Sequence, residues 1–396
     1  MNNHPETILP FSQRLPLAKV PLLDVARGND PLREELLAAV AGVVDSGKFL
    51  HGPEVTALEQ NIAHWCGVQH AVGCASGSDA LLLALMACDI GPGDEVIVPS
   101  FTFFATASAV SRLGAKPVFV DIEHGSFNID PALIAAAITP ATKAIIPVHL
   151  FGQCAEMNAI LDIARSRKLR VIEDAAQAIG ASYQGRPAGS IGDIGCLSFY
   201  PTKNLGGFGD GGMLTTHNAE LADRLRLLAS HGMSPRYYHR EVGINSRLDT
   251  LQAAMLGVKL KYLSEWTAAR SANAARYWQL FRATALDQQL VLPQAAPGQG
   301  HVWNQYTIRV PAGRRDAVKS LLASSGVGAE IYYPVPLHQQ QCFAALGYQE
   351  GSLPVTEQAA REVLSLPIFP ELTDGELQTV VMRLADAMGQ RLVAAA

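Results

Sequence analysis

The 396-residue sequence predicts an α/β protein, with a large domain built on a mainly parallel sheet between helices and a smaller α+β domain after it. Three observations point there. Short β-branched runs recur between about residues 70 and 230, and most are apolar along their length, as strands buried on both faces are. Alanine-rich stretches of helical length separate the first four of them. After residue 248 the texture changes to long helical runs with a few short strands.

In chain order, strands are expected at EVIVPS (95–100), PVFVDI (117–122), AIIPVHL (144–150), RVIEDAA (170–176), GCLSFY (195–200) and GMLTT (212–216). TFFATASAVSRLG (102–114), DPALIAAAI (130–138) and AEMNAILDIARSRK (155–168) read as the intervening helices. Gly91-Pro92-Gly93-Asp94 turns the chain into the first of these strands, and Asp130-Pro131 opens a helix. Residues 248–280 read as one bent helix or two, with an apolar face of Leu251, Met255, Val258, Tyr262 and Trp266. VWNQYTIRV (302–310), RRDAVKSLLASSG (314–326), AEIYYP (329–334) and ELQTVVMRLADAM (376–388) form the smaller domain, and PGQG (297–300) is loop. The division is placed between residues 1–258 and 259–396.

Hydrophobic residues at 48% and charged residues at 17% describe a folded chain rather than a disordered one. A net charge of -5 argues against a nucleic-acid partner, because a polyphosphate backbone needs a basic surface. The first 20 residues lack an apolar core of signal-peptide length, and the longest strongly apolar stretch, 80–88, is about half a membrane span. A cytoplasmic protein without membrane contact is expected. Six cysteines, at 66, 74, 88, 154, 196 and 342, show no C-x-x-C spacing, so buried free thiols and no metal site are expected. Arg165, Arg167, Lys168 and Arg170 read as a solvated helix end.

Ligands of a parallel α/β sheet bind beyond the carboxyl ends of its strands, so the polar groups there matter most. Ala75-Ser76-Gly77-Ser78-Asp79 opens the helical run LLLALMA, where free N–H groups and the helix dipole suit a phosphate; a plain Ser/Asp cap is the alternative. Glu173-Asp174 ends a buried strand, where a carboxylate is costly unless it has a partner such as a cationic ring nitrogen; a capping or salt-bridged pair is the alternative. Gln177 follows, within reach of a ring oxygen. CLSFY runs into PTKNLGGFGDGG, whose glycines clear space around Lys203, a candidate for Schiff-base formation if partly desolvated and otherwise a loop lysine. Residues 207–212 also satisfy G-x-G-x-x-G, but they lead into the strand-like MLTT and not into a helix, which rejects dinucleotide binding. Phe103 lies just past EVIVPS, as a stacking face or as core. A phosphate cradle, an aromatic, an acid and a lysine, each after a strand of one sheet, are together what pyridoxal phosphate requires.

The sequence resembles the DegT/DnrJ/EryC1/StrS sugar aminotransferases of fold type I. The resemblance rests on ASGSDAL (75–81), GPGDEVIVPSFTFFATA (91–107), GAKPVFVDI (114–122), AIIPVHLFGQCAEM (144–157), VIEDAAQAIGA (171–181), SFYPTKNLGGFGDGG (198–212), NSRLDTLQAA (245–254) and VLSLPIFPEL (363–372). It implies a seven-stranded sheet and a homodimer with active sites at the subunit interface. It implies that Lys203 forms the Schiff base, that Asp174 pairs with the pyridine nitrogen and that Gln177 meets the ring hydroxyl. Phe103 would stack on the ring. Gly77, Ser78 and Ser198 would hold the phosphate, and Asn245 would reach the phosphate of the neighbouring subunit's cofactor. Tyr333 and His338, in YYPVPLH, match positions that face the sugar. Arg236, Arg240 and Arg247 flank the Asn245 segment, as contacts for a diphosphate or uronate or as plain surface arginines.

The activity implied is transfer of an amino group from L-glutamate to a nucleotide-diphosphate-linked keto sugar, at C3 of a UDP- or dTDP-linked 3-keto sugar, giving an amino sugar for a surface polysaccharide or related glycoconjugate. Amination at C4 is the alternative within the family, and a non-catalytic sensor of the cofactor or nucleotide sugar is the alternative outside it. Dehydratase relatives carry histidine in place of the Schiff-base lysine, and Lys203 argues against that activity.

Overall fold

Seven strands meet in one sheet, and six of them point the same way. They are β1 (His70–Cys74), β2 (Glu95–Pro99), β3 (Lys116–Val120), β4 (Thr142–Ile145), β5 (Arg170–Asp174), β6 (Ile194–Ser198) and β7 (Gly212–Thr216), in the order β1-β7-β6-β5-β4-β2-β3. Strands β3, β2, β4, β5 and β6 pair in parallel, while β7 lies antiparallel to both β6 and β1. The computed structural model describes residues 19–311 and 313–390; nearly all of the N-terminal stretch read above for a signal sequence lies outside them.

The six expected strands are present, each shorter at its carboxyl end or equal in length to its reading. AIIPVHL stops at Ile145, because Pro147 has no N–H for a ladder; its carbonyl still accepts from the Asp174 N–H at 2.9 Å. β1, HAVGC, escaped the reading because Val72 is its single β-branched residue and Gly73 interrupts it. The helix Gly77–Ala87 is buried at every position from Ala80 to Leu85, which explains why LLLALMA shows no polar face. The helices Ala105–Arg112, Pro131–Ala137 and Met157–Arg167 fill the three expected crossovers. Asp130 caps the second of these by accepting from the Ala132 N–H at 2.9 Å.

Residues 248–280 resolve into two helices, Thr250–Leu260 and Leu263–Ala283, broken at Lys261 and Tyr262. Met255 and Val258 pack on Leu32, just before the helix Arg33–Ser46, and on Leu36 in its first turn, with Tyr262 and Trp266 at the rim. The same first helix also sends Ala253, Leu256 and Leu260 into a core under the large sheet.

Further along, β8 (Tyr306–Arg309) pairs antiparallel with β9 (Val363–Leu366), covered by the helices Arg315–Ser324 and Asp374–Ala387. Their core gathers Tyr277, Phe281, Tyr306, Leu364, Phe369 and Val381, and Val20 joins it. AEIYYP makes one bridge, Glu330 to Ser365, and is otherwise irregular. PGQG is not wholly loop, since Gln299–Gly300 pairs with Ser182–Tyr183. All six cysteines are free, but Cys342 is exposed and Cys88 only half-buried, so burial holds for four. Among the described residues no helix is long and apolar enough to cross a membrane.

Leu83 is fully buried in the helix that backs the site. Leu83→Ala is expected to cost about 2–5 kcal/mol of stability, read from the shift of the urea unfolding midpoint.

Candidate active site

The carboxyl ends of β5 and β6 and the turn after β1 converge on one region. Ser76 caps the helix Gly77–Ala87, its Oγ accepting from the Asp79 N–H at 3.1 Å. The cap therefore satisfies the third helical N–H and leaves those of Gly77 and Ser78 without a partner among the described residues. Both readings of this turn hold at once, a Ser cap and a free pair of donors. The backbone here admits no side chain: a Cβ at Gly77 would lie 2.6 Å from Ser198 Cβ, and one at Gly212 would lie 2.4 Å from the carbonyl carbon of Ser76. The Ser198 hydroxyl, at the end of β6, thus sits beside the helix start, ready to donate a third hydrogen bond to an anion.

Glu173 and Asp174 part company because successive side chains of a strand face opposite ways. Glu173 is fully buried and receives the N–H groups of Gly189, Ile191 and Gly192 at 2.9, 2.6 and 2.7 Å. It also pairs with His149 Nε2 at 2.8 Å. Ala155 donates its N–H to His149 Nδ1 at 3.2 Å, so the ring proton is on Nε2 and points at Glu173. Burial pushes this carboxyl up, but those hydrogen bonds outweigh it and hold it below its ordinary value. Glu173 is a structural anchor.

Asp174 faces the opposite side and is 5% exposed. Thr106 donates to Oδ2 at 2.7 Å, and the Ala176 N–H donates to Oδ1 at 3.2 Å. Burial raises its affinity for a proton; the hydrogen bonds and the charge of Lys203 oppose that without overcoming it. Lys203 follows β6, its own N–H bonded to the Tyr200 carbonyl at 2.8 Å. Burial of its ammonium lowers its pKa to about 8, with the charge of Asp174 pulling the other way. The structure therefore brings Lys203 and Asp174 into one electrostatic environment.

Gln177 is nearly buried; its Oε1 accepts from the Phe151 N–H at 2.7 Å, and its Nε2 donates to the Tyr333 hydroxyl at 3.4 Å. The amide is oriented by the first contact, so its donor end faces the site. Phe103 is 57% exposed, and its ring lies 6.2 Å from that of Tyr333. Phe103 is therefore a free aromatic face rather than core, and Tyr333 stands with Gln177 and Phe103.

His338 is a correction. It is 2% exposed, with Nδ1 2.7 Å from the Ser100 hydroxyl and Nε2 3.2 Å from Glu357 Oε1. Both ring nitrogens are committed inside the protein, so it braces the segment after β2 and has no nitrogen left for a sugar. Asn245 is exposed, its backbone bridged to Ser230, while the adjacent Ser246 hydroxyl accepts from the Ala75 N–H at 3.1 Å. NSRLD thus adjoins the turn that carries Gly77 and Ser78. Arg236 stacks on Tyr237 at 4.9 Å, and neither it nor Arg240 makes a side-chain hydrogen bond among the described residues.

Two contributors went unread in the sequence. Thr106 fixes Asp174, and its only signal was a hydroxyl at the second position of the helix after β2. Asn204, beside Lys203, donates to the Val302 carbonyl at 2.9 Å and accepts from Asn304 at 2.9 Å. Among the described residues no group of three His, Cys, Asp or Glu side chains is placed to hold a metal ion.

A lysine, a buried acid and a cradle of N–H groups are the geometry of an aldehyde-and-phosphate cofactor site. A family model for DegT/DnrJ/EryC1/StrS aminotransferases matches residues 30–385. The chain belongs to this aminotransferase family. The chain is 50% identical over 367 residues, 93% of its length and 98% of the other, to a protein of Geobacillus stearothermophilus named as a pleiotropic regulatory protein. It is 48% identical over 361 residues, 91% of its length and 96% of the other, to the UDP-N-acetyl-3-dehydro-alpha-D-glucosamine 3-aminotransferase of Acidithiobacillus ferrooxidans. The solved structure of DesV of S. venezuelae, in complex with a ketimine intermediate, superposes with a TM-score of 0.90 at 44% identity, covering 95% of this chain and 100% of that one. Solved structures similar to this member of the family carry the cofactor in pyridoxal and pyridoxamine phosphate forms.

Asp174 is an acid with a raised folded pKa, so without a cationic partner its ionisation lowers stability as pH rises above the ordinary carboxylate range. Asp174→Asn is expected to leave the cofactor-free protein as stable at pH 7 or more so, and to flatten its stability between pH 4 and 7. Thermal unfolding across that range checks both; a large loss of cofactor-free stability at pH 7 is the contrary result.

Proposed function

We propose that this protein uses pyridoxal phosphate to move an amino group from L-glutamate to C3 of a nucleotide-diphosphate-linked 3-keto sugar, UDP- or dTDP-linked. The observation that carries the reading is the closeness of Lys203 to Asp174, each feeling the other's charge, at the end of the sheet where the free N–H pair of Gly77 and Ser78 meets Ser198. The residues fit the cofactor at each end: a helix start for its phosphate, an acid for its ring nitrogen, an amide donor for its ring oxygen and an amine for its aldehyde. When bound, pyridoxal phosphate supplies that aldehyde and a ring able to accept electrons from the donor's carbon.

The chain's own residues do the rest. Gly77, Ser78 and Ser198 bind the phosphate and fix the depth of the group. Asp174, locked by Thr106, would hold a proton on the ring nitrogen, and that cation would offset the burial that raises the carboxyl's own proton affinity. Gln177 donates to the ring oxygen, and Phe103 covers one face. Lys203 moves the proton. With a pKa brought down to about 8 by burial, far more of the amine is free base near neutral pH than in an ordinary lysine. It would take the proton from the donor's α-carbon and deliver it to the carbon that had been the cofactor's aldehyde, two bonds away across the nitrogen, then run the transfer in reverse on the keto sugar. The two half-reactions give ping-pong kinetics.

The choice of C3 draws on relatives named for UDP-linked and dTDP-linked 3-amino sugars. A C4 reading draws on another relative, 40% identical, named a GDP-perosamine synthase. The exposed Asn245 beside the phosphate turn supports a homodimer in which this residue serves the partner's site. A regulatory reading draws on the name of the Geobacillus relative, and against it stands a constellation complete at every cofactor contact.

Lys203→Ala is expected to abolish glutamate-dependent turnover and the borohydride-reducible attachment of pyridoxal phosphate, with thermal unfolding unchanged within a few degrees; retained turnover would refute the role. The acceptor is settled by loading the wild-type protein with pyridoxamine phosphate and offering nucleotide-linked 3-keto and 4-keto sugars. Return of the pyridoxal spectrum with the 3-keto set alone is the expected result, and return with the 4-keto set alone reverses the assignment.

A further inference from the structure

Gly206, Gly207 and Gly209, which follow Lys203, have no part in the cofactor contacts above, yet they are packed against specific groups. A Cβ at Gly207 would lie 2.8 Å from Gln252 Oε1, and one at Gly209 would lie 2.9 Å from Gln252 Nε2. Gln252 thus lies flat across these two glycines, and its Oε1 accepts from the Phe208 N–H at 2.8 Å. Seven residues further along the same helix, two turns on and hence on the same face, Lys259 donates its Nζ to the Gly206 carbonyl at 2.5 Å.

Lys259 is only 5% exposed. Its ammonium lies 5.7 Å from the Phe208 ring centroid and 5.9 Å from that of Trp266. Charged side chains that share its small cavity, of ≈ 50 Å³, are Asp24, Lys203, Arg270 and Glu371. Burial brings Lys259 down to about 8, with Glu371 opposing. Among the described residues this buried amine forms no ion pair, and its one hydrogen bond there goes to a backbone carbonyl three residues from Lys203.

The turn it grips is closed on itself. Gly207 donates its N–H to the Phe199 carbonyl at 2.8 Å, so residues 200–206 loop out and return. At Gly206 the fit is tight enough that a Cβ would lie 2.3 Å from the Pro201 carbonyl oxygen. Lys203 sits within this loop, and the base of the loop is held by Gln252 and Lys259 alone of the side chains on that helix.

We propose that Gln252 and Lys259 are positioning residues for Lys203, a two-point clamp from the helix Thr250–Leu260 on the loop that presents the amine, and that Gly207 and Gly209 are there to admit it. The proposal rests on the reading of Lys203 as the amine that meets the cofactor aldehyde. The clamp acts through the backbone and touches neither cofactor nor substrate.

The test uses the full chain loaded with pyridoxal phosphate, as wild type, Gln252→Leu, Lys259→Met, the double variant and Lys259→Arg. Three quantities are read: the pH midpoint of the bound cofactor's absorbance, the single-turnover rate with L-glutamate, and the thermal unfolding midpoint. Each single variant is expected to slow the single turnover about tenfold and to move the absorbance midpoint. The double variant is expected to be no more than a few-fold slower than either, because both act on one loop. Lys259→Arg is expected to restore the wild-type midpoint. Variants that lower the unfolding temperature but keep the wild-type rate and midpoint overturn the proposal, as does a double variant slowed by the full product of the singles. If Lys259→Met fails to fold, Gln252→Leu decides by the same two readouts. A wild-type protein that takes up no pyridoxal phosphate sinks the functional reading and the clamp together, whereas normal loading with unmoved variants sinks the clamp alone.

Discussion

A carboxylate shut away at the end of a buried strand is destabilising unless a positive charge comes to meet it, and Asp174 is placed that way. Thr106 and the Ala176 N–H steady it but leave its proton affinity raised. Its neighbour Glu173 shows the same strand solving the same problem completely, with three backbone N–H groups and the His149 proton. The contrast is informative because the two side chains share a backbone and a depth. One is fully satisfied within the chain; the other is left short by about one cation. A group that brings a protonated nitrogen to that spot is stabilised by the protein and stabilises it in return.

Backbone crowding does the other half of the positioning. The helix Gly77–Ala87 begins so close to the ends of β6 and β7 that neither Gly77 nor Gly212 has room for a Cβ. That closeness sets the distance between the N–H pair and the Cβ of Ser198, and the two backbone donors cannot change rotamer. An anion held by such donors has its position fixed by the sheet itself. Since β5 and β6 are parallel neighbours in that sheet, the phosphate end and the acid end of the site are parts of one rigid body.

What could be read without coordinates divides along physical lines. Strands buried on both faces announce themselves by apolar content, so β2 to β7 were legible, and β1 was not because HAVGC is short and carries a glycine. The residues proposed for a cofactor were readable because most of them end a strand or follow one closely and have few other reasons to be there. Thr106 was not, since a threonine in a helix of small residues looks like packing until the carboxylate it serves is seen. His338 misled for the opposite reason: its neighbourhood in sequence resembles a substrate contact, but Ser100 and Glu357 lie 238 and 19 residues away and claim both its nitrogens. Long-range hydrogen bonds of that kind leave no periodic trace.

Burial acts on the two central groups in opposite senses and to one end. It raises the proton affinity of Asp174 and lowers that of Lys203, so each is driven toward its neutral form while the attraction between them resists. Were the resistance complete, the pair would close into an ion pair, and the amine would be an ammonium, useless as a nucleophile. Were it absent, the acid would be protonated and unable to hold a cationic ring. The intermediate state leaves more of the amine as free base near neutral pH than an ordinary lysine has, and leaves the acid with a raised proton affinity that a cation at its edge would offset. One bound group with a cationic nitrogen at one side and an aldehyde at the other satisfies both residues at once, which neither achieves by pairing with the other.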